Sequence, residues 1–170
     1  MICLFSIQTW AQSGKLFNTD NQLSSNLATQ VFQDKSGFIW IATRNGLNTY
    51  DGYHITVIKK DMSNFLGLNS NYINSIAQDE KEHILLGTNN SLLEFTGSEF
   101  LKIPMLDSKG EELATYVKQV YPLKNKDVAV ATSGYGIMLK KQDEQKCHAM
   151  KGEVEKLKYI HKLLEDKRGR

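Results

Sequence analysis

The 170-residue chain has few of the residues that cross-link, punctuate or anchor a protein. It has two cysteines, Cys3 and Cys147, so it can build neither a disulfide framework nor a zinc-ligand spacing from thiols. Its two prolines leave no proline-rich linker to divide the chain. The net charge of +2 gives no balance of charge that would draw nucleic acid or an anionic membrane. No apolar run approaches the roughly 20 residues a membrane-spanning helix needs. What remains is an ordinary soluble composition, 41% hydrophobic and 24% charged.

The N-terminus has part of an export signal. Residues 1–7 (MICLFSI) are apolar, and Thr9 and Ala11 are small residues of the kind a signal peptidase cuts after. The basic start of such a signal is missing, so residues 1–11 are read as a truncated signal peptide, with an ordinary N-terminal strand as the competing reading. If the signal functions, the chain is periplasmic.

An internal repeat organises the rest. Leu23-Ser24-Ser25-Asn26, Val31-Phe32-Gln33-Asp34, Ile39-Trp40-Ile41-Ala42-Thr43 and Asn45-Gly46-Leu47 recur at Leu68-Asn69-Ser70-Asn71, Ile76-Ala77-Gln78-Asp79, Ile84-Leu85-Leu86-Gly87-Thr88 and Asn90-Ser91-Leu92, each 45 positions on. A weaker third copy follows with a 44-residue offset. In it Val120 matches Ile76, Val128 to Thr132 match Ile84 to Thr88, and Gly136-Ile137 falls near Ser91-Leu92. Within the first copy, the tight-turn tetrad Asp34-Lys35-Ser36-Gly37 separates two strand-like runs. The Asn45-Gly46 and Asp51-Gly52 dipeptides then mark two further hairpins. Four short antiparallel strands in about 45 residues are the content of a propeller blade. Helical repeats of similar period need segments of about 10 residues or more, and runs here are four to six.

The segment Leu23 to Tyr53 resembles the two-component regulator propeller repeat, in particular the first blade of the periplasmic sensor region of hybrid two-component systems. The resemblance is strong over Leu23 to Phe100, weaker over Tyr116 to Lys140, and ends near Gln145. It implies a sensor of glycan fragments whose kinase, receiver and DNA-binding parts lie in domains this chain does not contain. No catalytic, cofactor-binding, metal-binding or ligand-contact residue is therefore transferred to it, and no cofactor is expected.

Candidate sites are read as structure. Asp34 and Asp79 recur once per blade, which is turn chemistry rather than an acid–base pair. Trp40 is read as inter-blade core rather than a sugar-stacking platform. Gly134-Tyr135-Gly136 precedes a strand-like run, so it is a hairpin and not a phosphate loop. His54, His83, His148 and His161 show no metal-ligand spacing, and Cys147-His148 would point to opposite faces of a strand. The structural repeat positions are Asn26, Asp34, Gly37, Trp40, Thr43, Gly46, Leu47, Tyr50, Asn71, Asp79, Leu85, Gly87, Thr88, Leu92, Thr132 and Gly136.

From Gly152 on, Val154, Leu157, Ile160 and Leu164 recur at helical spacing, and residues 151–170 hold seven Lys/Arg against four Asp/Glu. The spacing predicts an amphipathic helical tail covering the protein's own apolar surface. The expected architecture is all-β: an incomplete propeller over 12–150, with blades about 23–66, 68–104 and 113–150, followed by that helix. The expected function is that of an N-terminal fragment of a periplasmic ligand-sensing propeller in a two-component system, without catalysis. The alternatives are a free-standing interaction module that self-associates and, less favoured, a propeller lyase or lactonase. The expected partners are the remaining blades or a second copy, with an oligosaccharide ligand for the full-length parent.

Overall fold

A computed structural model describes residues 16–60, 67–150 and 157–169. The expected signal segment 1–11 and the first residues of the tail, 151–156, lie outside these. The first blade runs β1 (Ala28–Gln33), β2 (Ile39–Thr43), β3 (Gly46–Tyr50) and β4 (Ile55–Ile58), hydrogen-bonded in that order. The second runs β5 (Ile73–Gln78), β6 (Ile84–Thr88), β7 (Leu92–Phe95) and β8 (Phe100–Ile103) in the same order. The third is built on β11 (Val117–Pro122), β12 (Val128–Thr132), β13 (Ile137–Lys140) and β14 (Cys147–Ala149). A short hairpin, β9 (Met105–Leu106) and β10 (Glu112–Leu113), extends this third sheet to six strands, β9 lying parallel to β14. This hairpin lies between the expected second and third blades and is not part of the repeat. The hairpin covers the outer edge of the blade, where an unpaired strand would invite foreign pairing.

The blades face one another across two apolar layers. Trp40, Ala42, Leu47 and Ile58 of the first blade meet Ile73, Ile76, Leu86 and Leu93 of the second. Leu85, Leu92 and Ile103 of the second meet Val117, Val120, Val130 and Met138 of the third. The middle blade is covered on both faces, and every residue of β6 is buried. The inner strand of the first blade, covered on one face only, shows the alternation eeieie from exposed to half-buried.

The same irregularity recurs in each inner strand, a register shift at Ala28/Gln30, Ile73/Ser75 and Val117/Gln119. Such a bulge re-aims side chains, and here it aims them at the next blade. Thr29 Oγ1 donates to the Ile73 carbonyl (2.6 Å) and Asn74 Nδ2 to the Val117 carbonyl (3.0 Å). The Gln30 amide clamps Ile76, donating to its carbonyl at 2.8 Å and accepting its N–H at 2.9 Å. Ser75 Oγ accepts the Val120 N–H at 3.0 Å.

The tail corrects the sequence reading. Residues 157–169 form no helix. They run extended along the inner edge of the third blade, with Tyr159 bridged to Ser133. Gly136 N–H donates to the Lys158 carbonyl at 3.2 Å, as Gly46 N–H does to the Asn71 carbonyl at 2.7 Å. Gln119 clamps Leu163, accepting its N–H at 2.6 Å and donating to its carbonyl at 3.4 Å. Arg168 N–H donates to Asp166 Oδ1 at 2.8 Å, as Lys81 N–H does to Asp79 Oδ1 at 2.9 Å. Tyr159, Ile160, Leu163 and Asp166 thus stand where Tyr72, Ile73, Ile76 and Asp79 stand, 87 residues earlier. Residues 158–169 repeat the contacts that the inner strand and turn of the second blade make with the first, without forming a regular strand. The adjacent pair Leu163-Leu164 satisfies a helical period as readily as a strand with one leucine on each face. Hydrogen bonds to the third blade decide between the two, over a local Lys/Glu bias that favours helix.

Candidate functional site

Most repeat positions are used in holding the blades. Thr43, Thr88 and Thr132 are fully buried. Their hydroxyls donate to the carbonyls of Gly46, Ser91 and Gly136 at 2.8, 3.0 and 2.8 Å, closing the same hairpin in each blade. Asp34 Oδ1 accepts the Phe38 N–H at 3.0 Å, and Asp79 Oδ1 accepts the N–H groups of Lys81 and His83, each at 2.9 Å. Gly37 takes φ +92° in the turn after Asp34, a conformation open to glycine at little cost. Leu47, Leu85 and Leu92 are fully buried in the two apolar layers, and Gly87 in β6 lies against Val117. Asn71 accepts the Lys60 N–H at 2.7 Å, Asn26 bonds Thr19, and Tyr50 stacks edge-on with Phe17. These residues lie one set per blade and do not converge.

Trp40 is 6% exposed and packs edge-to-face with Phe95 at 5.7 Å between ring centres. Its Nε1 donates to Asp34 Oδ2 at 2.8 Å. It forms part of the wall of a cleft of about 630 Å³ between the first two blades, together with Phe38, Phe95, Asp34 and His83. Gln78, which also lines this cleft, accepts the Lys35 N–H of the first blade at 2.9 Å through its Oε1.

Three titratable side chains do converge, among the described residues in the second blade alone. His83 Nδ1 lies 2.9 Å from Glu94 Oε1 and 4.0 Å from Asp79 Oδ2. Glu94 and Asp79 are 3% and 8% exposed, while the His83 side chain is one-third exposed. Spacing along the chain gives the histidines no metal-ligand pattern, and it does not single out Glu94. The usable signal lay in the repeat itself. His83, Leu85 and Glu94 stand 45 residues after Phe38, Trp40 and Thr49, so three neighbouring positions depart from the pattern together. Leu85 removes the indole that serves Asp34 in the first blade, and a histidine and a glutamate come to Asp79 instead.

Cys147 and His148 remain apart in role. The Cys147 thiol is fully buried, and burial pushes its pKa up to about 12. His148 is exposed and lies 3.2 Å from Glu144.

The sequence pattern of the two component regulator propeller family matches residues 22–45 and 67–90. Those two segments are two-component regulator propeller repeats. The matched segments are the inner two strands of the first and second blades. The third blade and residues 158–169 lie outside the matched segments and share only the hydrogen-bond register of the first two units.

No curated protein matches the chain by sequence. Solved structures share its fold. The extracellular domain designated as that of a one component system from B. thetaiotaomicron superposes with a TM-score of 0.69 at 16% identity, over 85% of this chain and 21% of that one. A hybrid two component system domain from the same organism gives 0.56 at 21% identity, over 73% and 17%. PorZ, a surface component of the type-IX secretion system of Porphyromonas gingivalis, gives 0.54 at 15% identity, over 73% and 21%. The chain thus spans about a fifth of the length of each. Among the described residues no helix is long and apolar enough to cross a membrane.

Proposed function

We propose that this chain is part of the exported, ligand-sensing propeller of a two-component regulator, contributing shape and ligand response rather than catalysis. The observation that carries this reading is the pair of matched repeats, whose recurring polar residues close turns and hairpins instead of meeting at one centre. The extracellular placement of the similar domains supports export to the periplasm. An oligosaccharide is the proposed ligand class, and the aromatic and polar wall of the inter-blade cleft is where it would leave a trace. The reading is tested by the DNA flanking this frame, which is expected to encode further blades and a histidine kinase. Flanking frames that encode a hydrolase, or no kinase at all, would overturn it.

A second reading, self-association, has its own observation. Leu27 and Val31 are 60% and 62% exposed at one end of the arc, and Tyr159 and Leu164 are 72% and 87% exposed at the other. Two such ends on one molecule suit a head-to-tail contact between copies. Light scattering behind size-exclusion chromatography then gives a discrete folded oligomer of the 19.3 kDa chain, where a sensor fragment on its own gives an insoluble or molten chain.

A further inference from the structure

We propose that Asp79, His83 and Glu94 form a binding site for a divalent transition-metal ion of the zinc type. Geometry is the first ground. One donor atom from each residue lies within 4.8 Å of the other two, with Nδ1···Oε1 at 2.9 Å and Nδ1···Oδ2 at 4.0 Å. Ligands held at about 2.0–2.2 Å from zinc in a tetrahedron sit roughly 3.3–3.6 Å apart. The observed separations bracket that value, so small side-chain rotations close the site around an ion.

Charge is the second ground. Both carboxylates are more than nine-tenths buried, and among the described residues His83 is the only ion-pair partner of either. A protonated imidazole would offset one negative charge of the two. A divalent ion offsets both, and buried charge without compensation is costly. The donor set, one imidazole nitrogen and two carboxylate oxygens, suits zinc-like ions. It offers too few oxygens for calcium.

Support from behind is the third ground. Asp79 Oδ1 is engaged by the N–H groups of Lys81 and His83, which fixes the carboxylate and presents Oδ2 to the cluster. Outer hydrogen bonds of this kind orient metal ligands. The set is also specific to this blade. At the same positions the first blade carries Phe38 and Thr49 beside an Asp34 already bonded to Trp40, so the arrangement is not a requirement of the turn. His83 belongs both to the cluster and to the cleft wall, which gives an ion a path in. Three protein ligands leave a coordination position open to a further donor.

The test titrates the whole chain with zinc chloride by calorimetry and with cobalt(II) by its visible absorption. One ion per chain and a cobalt spectrum with nitrogen–oxygen coordination are expected. Two variants remove the donors. One carries His83→Phe with Glu94→Thr, the residues the first blade uses at those positions. The other is the near-isosteric Glu94→Gln, which keeps the proposal falsifiable if the double variant does not fold. Each is expected to weaken zinc binding at least ~10-fold, while His148→Asn leaves it unchanged. The proposal is overturned if the wild-type chain takes up no zinc, leaving an imidazole between two carboxylates. It is equally overturned if Glu94→Gln binds zinc as tightly as the wild type.

Discussion

Replacing Gln30 by alanine tests how the blades are joined. Its amide makes two hydrogen bonds to the backbone of Ile76, at 2.8 and 2.9 Å, and Ile76 is 1% exposed. Each such bond is worth about 0.5–1.5 kcal/mol net, so Gln30→Ala should cost about 2 kcal/mol. For a chain of this size that corresponds to a fall in Tm of roughly 4–8 °C. With a urea dependence of about 2 kcal/mol/M, the unfolding midpoint should fall by about 1 M. Gln30→Glu retains an acceptor for the Ile76 N–H but sets a carboxylate oxygen against the Ile76 carbonyl, so it should resemble alanine rather than glutamine. Hydrogen exchange localises the effect: the Ile76 amide should exchange faster in Gln30→Ala, and the Leu163 amide in Gln119→Ala, each without the other. A midpoint shift worth less than about 0.5 kcal/mol, or wild-type stability in Gln30→Glu, would refute the reasoning. Water would then be serving the Ile76 backbone as well as the side chain does.

Other consequences can be measured in the same way. An added Cβ at Gly87 would lie 2.5 Å from Val117 Cγ1, so Gly87→Ala should destabilise by about 1–3 kcal/mol. Val117→Ala in the same chain should relieve part of that loss in a double-mutant cycle. Lys126 sits at φ +74° in the turn position that Gly37 and Gly110 hold in theirs, so Lys126→Gly should raise stability by about 1 kcal/mol in urea unfolding. The Cys147 thiol, raised from 9.0 to about 12 by burial, should resist alkylation at pH 8 in the native state and react fully in urea. The unfolded thiol ionises first, so its share of stability is intact below pH 9 and is lost progressively between about 9 and 12. Burial and the neighbouring Tyr72 raise Tyr116 to about 12, so its phenolate absorbance should appear well above the ordinary tyrosine range.

How far the fold could be read from the sequence depended on whether a residue's role repeats. Thr43, Thr88 and Thr132 perform one task three times, and the 45- and 44-residue offsets expose them. The Asp34 and Asp79 turns were legible for the same reason. The β9–β10 hairpin occurs once, between repeats, and its two-residue strands are too short to show a period. The tail was misread because periodicity cannot separate a short strand bearing adjacent leucines from a helix; aligning it to residues 71–82 instead of judging its amphipathicity would have revealed it. The Asp79–His83–Glu94 cluster is legible only as a coordinated departure from the repeat, since cross-strand neighbours are distant in the chain.

The bulge clamps carry an implication for how such chains change over evolutionary time. Gln30, Ser75 and Gln119 address the main chain of the next blade, not its side chains. A junction of that kind is indifferent to what its neighbour is made of, provided the neighbour presents an extended strand in register. Whole units can be duplicated, exchanged or allowed to drift while the seams persist. Two chains can then share the fold over 85% of this one at only 16% identity. With the joint made by the main chain, the blades on either side of it are free to take on separate work.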